Sequence, residues 1–463
     1  MDKLSAAADA LALFHAGEQH LQSGAWPEAE LAFRQALALD AGFAEARGNL
    51  AFVLEQTGDS AQAESHYRSA LQLSPQNATL HLNLGALLAL QKRHAEAQAS
   101  YCAALALNPQ SSALWSNLGA LNLNLHAEET AEACLRHAIA LDPSNSRARF
   151  NLAYLQLRRG HFEEGWTLFE ARDWYREMEA RLHFPRWQGE SLIGKSLLAT
   201  FEAGHGDVIQ FCRYIPLLKA RGARRVTLLC HPALKSLLRR LEGLDTALSF
   251  EDPLPPRDFD YWMPLLSAPY HFGTRIGTVP ALLPYLQADP HLHTQWAPRL
   301  PPTTALRVGL VWKGNPKFEN DGDRSLAHLE ALAPLWSVPG VDFVSLQKGA
   351  GEGDIAQCEA HQPLTTLGSS MQHFDDAAAI IAGLDLVISV DTAMAHLAGA
   401  LGKPCWLLLP WYMSDWRWGA DGTDSLWYPG VMRLFRQGPD AQWGPVIAEL
   451  VLALLEQTRP HGP

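Results

Sequence analysis

A spacing of 34 residues constrains this chain more than any other feature. Ala29, Ala63, Ala97 and Ala131 fall in register at that offset, as do Ala36, Ala70, Ala104 and Ala138. A large side chain sits between them at Phe33, Tyr67, Tyr101 and Leu135, and a small one recurs at Gly17, Ala51, Gly85 and Gly119. Ala41, Pro75, Pro109 and Pro143 close each period. Such a stretch cannot bury its apolar face alone, so its neighbours must stack on it. The small positions predict close approach of paired helices. The large ones are expected to fill the gaps between neighbouring units, and proline stops the second helix.

The pattern is that of tetratricopeptide repeats, helix–turn–helix units of 34 residues. Four full units cover roughly 10–143. A fifth, "NSRARFNLAYLQLRRGHFEEGWTLFEARDW", keeps Ala153, Gly165 and Phe169 in register and then changes character. Solenoids of this kind bind a peptide or protein on the concave face, pair with a second copy, or support a neighbouring domain.

Composition narrows the classes. Hydrophobic residues make up 48% of 463, charged ones 19%, and the formal net charge is −12. The first figure allows real cores; the last disfavours nucleic acid, which needs a basic face. Six scattered cysteines without a CxxC pair read as reduced thiols rather than a disulfide frame or zinc site. The opening residues lack a secretory pattern, and no uncharged apolar run is long enough to span a bilayer. A cytoplasmic protein is expected.

After Trp187 strands begin to alternate with helices. "GKSLLATFEAGHGDVIQFCRYIPLLKARG" and "RRVTLLCHPALKSLLRRL" each read strand then helix. Residues 253–304 are Pro-rich and read as loops with short helices. "RVGLVWKGNP" then opens a second α/β run through "VDFVSLQKG" and "LDLVISVDTAMAHLAGALGKPCWLLLP" to a last helix, "WGPVIAELVLALLEQT". Such alternation signals parallel sheets with crossovers, whose ligands sit beyond the carboxyl ends of strands. The expected fold class is α plus α/β: an α-solenoid over 1–175, then two Rossmann-like lobes over 176–300 and 301–440. A closing helix in 441–463 packs back on them.

Chemistry concentrates at strand-to-helix corners. "LDLVISV" ends in Asp391 and Thr392, and the helix "AMAHLAGALG" follows, with His396 one turn in. A helix N-terminus presents unpaired N–H groups and partial positive charge, a ready anion site. Asp391 and Thr392 are also ordinary N-cap residues. The corner "FEAGHGDVIQFCRY" carries Glu202, His205, Asp207 and Gln210, with Asp207 either an N-cap or a general base facing a cleft. The corner "VWKGNPKFENDGDRSL" offers Lys313, Lys317 and Arg324 as phosphate clamps. "PWYMSDWRWGADGTDSLWYPGVMRLFRQ" supplies aromatics, Trp418 among them, to wall a sugar or bridge lobes, and Asp415 and Arg417 as a structural pair.

"GHGDVIQFCRY", "VGLVWKGNP…NDGDRS" and "DLVISVDTAMAHLAGALGKP" together resemble glycosyltransferase family 9, the heptosyltransferase-like enzymes, and within it bacterial members with N-terminal tetratricopeptide repeats. In layout alone the chain also resembles protein O-GlcNAc transferases. The resemblance implies a two-lobed GT-B fold and metal-independent, inverting sugar transfer from a nucleotide sugar, with no cofactor and no metal site. It implies that Asp207 is the base and that Asp391, Thr392, Ala393 and His396 hold the donor. Lys313 or Arg324 would meet the diphosphate, and Gln347 with Asp375 or Asp376 would flank base and ribose. Glu202, His205, Gln210 and Trp418 are candidates on the acceptor side. A protein or peptide on the solenoid's concave face is the implied acceptor, and a homo-oligomer through the repeats is open. The alternatives are a scaffold with an inactive transferase half, or a nucleotide-sugar epimerase or hydrolase.

Overall fold

The computed structural model describes residues 3–253, 259–302, 304–357 and 364–459. The chain divides into two compact units, Met1–Leu152 and Ala153–Pro463. Among the described residues, no helix is long and apolar enough to cross a membrane.

The first unit is a stack of antiparallel helix pairs: Lys3–Gln22 with Trp26–Leu39, Ala44–Gln56 with Ser60–Leu73, Ala78–Leu90 with His94–Leu107, and Ser112–Asn124 with Glu128–Leu141. The in-register alanines are its innermost residues, all fully buried. The large residue does not merely fill a gap between units. It seats on the small residue of its own pair: a methyl group at Gly17, Gly85 or Gly119 would lie 2.6 Å from Phe33, Tyr101 or Leu135 respectively. The helices end where the period predicts. Asp40, Ser74, Asn108 and Asp142 each donate a last N–H to the carbonyl of Ala36, Ala70, Ala104 or Ala138. At the next position stand Ala41 and the three prolines, which lack or do not continue the ladder.

The second unit holds two parallel sheets. The first contains β1 (Ser196–Thr200), β2 (Arg225–Cys230), β3 (Thr246–Ser249) and β4 (Tyr261–Pro264), in the order β3-β2-β1-β4. The second contains β5 (Leu306–Val311), β6 (Val341–Ser345), β7 (Leu364–Thr366), β8 (Leu386–Val390), β9 (Cys405–Leu409) and β10 (Met432–Arg436), in the order β10-β9-β8-β5-β6-β7. β1, β8 and β9 are buried along their whole length, as parallel strands covered on both faces should be. The helix Trp443–Gln457 buries Val446, Ile447, Leu450 and Leu454 in the same core as Val308, Phe343 and Ile388, so it covers the second sheet.

Strand order places the site. The chain leaves β1 on one side to form β2 and β3, then returns to its other side as β4. It leaves β5 on one side for β6 and β7, and returns on the other as β8. Each reversal opens a crevice at the carboxyl ends of the two strands that flank it. The stretch 253–304, read from sequence as loops and short helices, contains β4. This short strand registers Leu197 to Tyr261 and Thr200 to Pro264, and without it the first sheet has no reversal point.

Candidate functional site

The two crevices face each other within the second unit and share one cavity of about 880 Å³. Asp207, Lys313, Arg324, Asp391, Thr392, Ala393 and His396 all line it. Asp207 and the turn at Thr392, 185 positions apart in the chain, therefore look into one space.

The first-lobe wall begins after β1. Gly204 turns the chain into the helix His205–Phe211, and Asp207 Oδ2 accepts the Gly204 N–H at 2.9 Å, so the carboxylate does cap its own helix. Its other oxygen, Oδ1, accepts from Arg417. Burial pushes the Asp207 carboxyl up from its ordinary range, opposed by the Arg417 charge and reinforced by Asp415. Gly206 is small for a reason: a Cβ there would lie 2.8 Å from His396 Cδ2 and 3.5 Å from the Ala393 backbone. The first-lobe helix thus rests directly on the second-lobe helix Ala393–Ala400.

The second-lobe wall begins at β8. Thr392 Oγ1 accepts the Met394 N–H at 3.3 Å and pairs with Ser389 Oγ at 3.2 Å. The Asp391 carboxylate accepts from the Trp418 indole at 2.9 Å, and burial, with Asp415 nearby, pushes it up to about 6. His396 Nδ1 is hydrogen-bonded to the Tyr428 hydroxyl at 2.9 Å, and its ring stacks on Trp418 at 5.3 Å. Burial, then the charges of Arg417 and Arg213, hold the imidazole neutral, well below the usual range. Either partner can donate in the His396–Tyr428 contact, and the neutral ring carries its one proton on Nδ1 or Nε2 accordingly.

The two cations after β5 differ. Lys313 Nζ is committed to Asp354, at 3.1 and 3.0 Å from its two oxygens. Arg324 donates through Nε to Asp321 at 3.2 Å and lies over the Phe318 ring. Gly314 clears room for it: a Cβ there would lie 2.8 Å from Arg324 Nη2. Asp321-Gly322-Asp323, in the corner after β5, is a D-x-D spelling. Asp321 turns inward, accepting from Arg324 and from Ser325 Oγ at 3.0 Å. Among the described residues no three His, Cys, Asp or Glu side chains are placed to share a cation.

Several sequence candidates spend their polar groups within the protein, Glu202 and Gln347 among them although both line the cavity. The Glu202 carboxylate is fully buried in a two-bond pair with Arg172, 2.8 Å on each oxygen, and also accepts the Leu266 N–H. Gln210 is fully buried and accepts from Arg417 Nε at 2.6 Å. Trp418, 2% exposed, backs Asp391 and His396. Gln347 spends its amide inward: Oε1 accepts the N–H groups of Trp312 and Lys313, and Nε2 donates to the carbonyls of Lys313 and Ala350. Asp376 caps the helix Phe374–Ala382 through the His373 and Gln372 N–H groups, and Asp375 pairs with Arg240. In each case a short polar or aromatic signal near the motif proves to be a brace. His205 does reach the cavity, stacked between His231 at 4.3 Å and Phe374 at 5.2 Å, with burial pushing its imidazole down to about 4. Cys358 lies outside the described residues. Arg417, read from sequence only as half of a local pair, is the residue whose place in the site was missed.

Fold and cavity together define a tetratricopeptide solenoid followed by a two-lobed α/β unit whose second lobe is like that of glycosyltransferase family 9. Tetratricopeptide models match residues 14–78, 49–112 and 134–167, and the model described as glycosyltransferase family 9 (heptosyltransferase) matches 347–407. That last match includes Asp391, Thr392, Ala393 and His396. Among curated proteins, Protein FlbA of Caulobacter vibrioides is 30% identical over 329 residues, covering 65% of this chain and 54% of that protein. The chain thus spans about half the length of this curated relative. Solved structures with similar segments include one reported under "Functional Characterization of Pseudomonas Aeruginosa pilF". It is 26% identical, with TM-score 0.34, and covers 37% of this chain and 78% of its own. Another is MamA from Desulfovibrio magneticus RS-1, 20% identical, with TM-score 0.31, covering 40% and 98%.

Proposed function

We propose that the second unit transfers a sugar, with inversion, from a nucleotide-sugar donor to an acceptor hydroxyl, and that the repeats hold a protein carrying that hydroxyl. The observation that carries this reading is the shared cavity, with a carboxylate on the first-lobe wall opposite a helix N-terminus, a neutral histidine and an arginine. The donor diphosphate lies on the N–H groups that open the helix Ala393–Ala400, with the His396 ring and the Nη groups of Arg324 as further contacts. Both cations proposed from sequence are paired with a carboxylate, but Lys313 holds both oxygens of Asp354 with its single ammonium, whereas Arg324 meets Asp321 through Nε and keeps its Nη groups for a phosphate, which makes it the better contact. Asp207 takes the proton of the acceptor hydroxyl as its oxygen bonds the anomeric carbon. The bond to the diphosphate breaks on the opposite face, and the leaving charge is met by these preorganised dipoles and cations rather than by a divalent ion. The domain assignment follows: acceptor side on the first lobe, donor side on the second.

The test pairs binding with turnover. Uridine, guanosine and adenosine diphosphate sugars are titrated into the full chain calorimetrically. Host proteins with and without it are compared by mass spectrometry for an added sugar. Asp207→Asn should keep donor affinity and lose about 10²–10⁴-fold in rate, the usual worth of a positioned general base. His396→Ala should weaken donor binding, and a chelator should leave the rate unchanged. No affinity for any nucleotide diphosphate would leave a scaffold as the better account. Donor conversion without an acceptor would favour an epimerase or hydrolase.

A further inference from the structure

Arg417 stands on the loop after β9, in the second lobe, yet two of its donors reach the first. Nε donates to Gln210 at 2.6 Å and Nη2 to Asp207 Oδ1, residues three apart on one face of the helix His205–Phe211. Nη1 donates to both oxygens of Asp415, at 3.0 and 2.9 Å. The guanidinium lies over the rings of Trp416 and Phe211, at 4.7 and 5.4 Å, which fixes its plane. Its side chain is 7% exposed, against 23% for Asp207 and 25% for Asp415. One buried cation is therefore divided between two carboxylates, one from each lobe, both on the cavity wall.

The division has consequences for Asp207. Gly204 N–H holds one oxygen and Arg417 the other, so the carboxylate cannot rotate, and its remaining lone pairs keep a fixed direction. The charged and titratable groups around it are few. Arg417 and Asp415 come from the loop after β9 and the Tyr154 phenol from the helix Ser146–Arg158, while His205 and His396 flank Gly206 and are both held neutral by burial. A nearby cation favours the ionised carboxylate and a nearby carboxylate opposes it. We infer that Arg417 is a positioning residue for Asp207, and that Arg417 and Asp415 act on its charge state in opposite directions. The inference deepens the proposed function and rests on Asp207 as the base that activates the acceptor.

The experiment follows Asp207 with and without turnover. Aspartate carboxyl carbons are labelled with carbon-13 in the full chain, and the Asp207 signal is identified by its loss in Asp207→Asn. The acid limb of the rate profile is measured in parallel. Arg417→Gln should move both the titration of Asp207 and the acid limb to higher pH. Asp415→Asn, which keeps the cap on the Arg417 N–H, should move both to lower pH, and Arg417→Lys should fall between wild type and Arg417→Gln. A purely structural role for Arg417 would lower the rate without this opposed pair of shifts. Titration unmoved in Asp415→Asn, or moved the same way by loss of either group, overturns the inference, and Asp415→Asn with Arg417→Lys decides the matter if Arg417→Gln fails to fold. Opposed shifts in the carbon signal with wild-type turnover in Asp207→Asn would uphold the electrostatic linkage and instead sink the assignment of the base.

Discussion

The lobes press together at Gly206, and one methyl group there tests the contact. In Gly206→Ala the new Cβ would lie 2.8 Å from His396 Cδ2. Carbon atoms in contact prefer about 3.5–4.0 Å, so the two groups must part by roughly 0.7–1.2 Å. His396 cannot swing aside, because Tyr428 holds Nδ1 at 2.9 Å and Trp418 covers its face. Tyr428 cannot retreat either, since its ring already occupies the space of a missing Gly399 Cβ, 2.4 Å away. The strain passes to the helix pair, and overpacking of this kind costs about 1–3 kcal/mol. Equilibrium urea unfolding, read by tryptophan fluorescence, should show the midpoint fall accordingly, and donor affinity should drop as the Thr392–His396 turn moves. Gly204→Ala is the internal control: its Cβ would meet only Asp207 Oδ2, at an ordinary 3.4 Å, and its φ of −72° suits any residue. Equal, negligible effects of the two substitutions would show that the lobes do not touch at this point.

Other outcomes follow from the same geometry. Glu202→Ala takes the two-bond partner from the fully buried Arg172, which keeps Glu170 at 2.7 Å, so the charge stays paired and the loss in urea unfolding should be about 1.5–3 kcal/mol, the worth of hydrogen bonds to a charged group, whereas a loss under 1 kcal/mol would contradict the buried pair. His205 has its imidazole pushed down to about 4, so the unfolded chain, with histidine near about 6.5, binds the proton more readily. The stability it contributes is present above about 6.5 and is lost as pH falls toward 4. His205→Gln should flatten that part of the midpoint-against-pH curve, and an unchanged slope would refute the assignment. In the repeats, Gly85→Ala drives a methyl group into the Tyr101 ring and should cost about 1–3 kcal/mol, seen as faster hydrogen exchange across Ala78–Leu107.

Much of the architecture was legible because it is periodic or strongly apolar. The repeats announce themselves by spacing, and β1, β2, β5, β6, β8 and β9 by runs of Val, Ile and Leu. The other strands were not, for physical reasons. β7 has three residues and β4 ends in Pro264. β10, Met-Arg-Leu-Phe-Arg, is five residues long and carries two arginines, so it lacks the continuous apolar run of its neighbours. At the site, sequence located the corners but not the direction in which each side chain points. Glu202, Gln210, Gln347 and Trp418 sit within or beside the right motifs, and each spends its polar group on a partner within the protein, Glu202 and Gln347 at the cavity wall and Gln210 and Trp418 outside its lining. Arg417 is the converse: 210 positions from Asp207, it has no local signal tying it to that residue, and only the packing of two lobes brings them together.

The seat of a large side chain on a small residue inside the helix pairs also bears on how such a chain can change over time. Because the seat lies within a pair, a duplicated or deleted 34-residue block carries its own lock with it, and what it must still match is the seam to its neighbours, such as Leu80 against Gly48. The reach of the helical arm is thereby a quantity that copy number can adjust, while the lobed unit stays as it is.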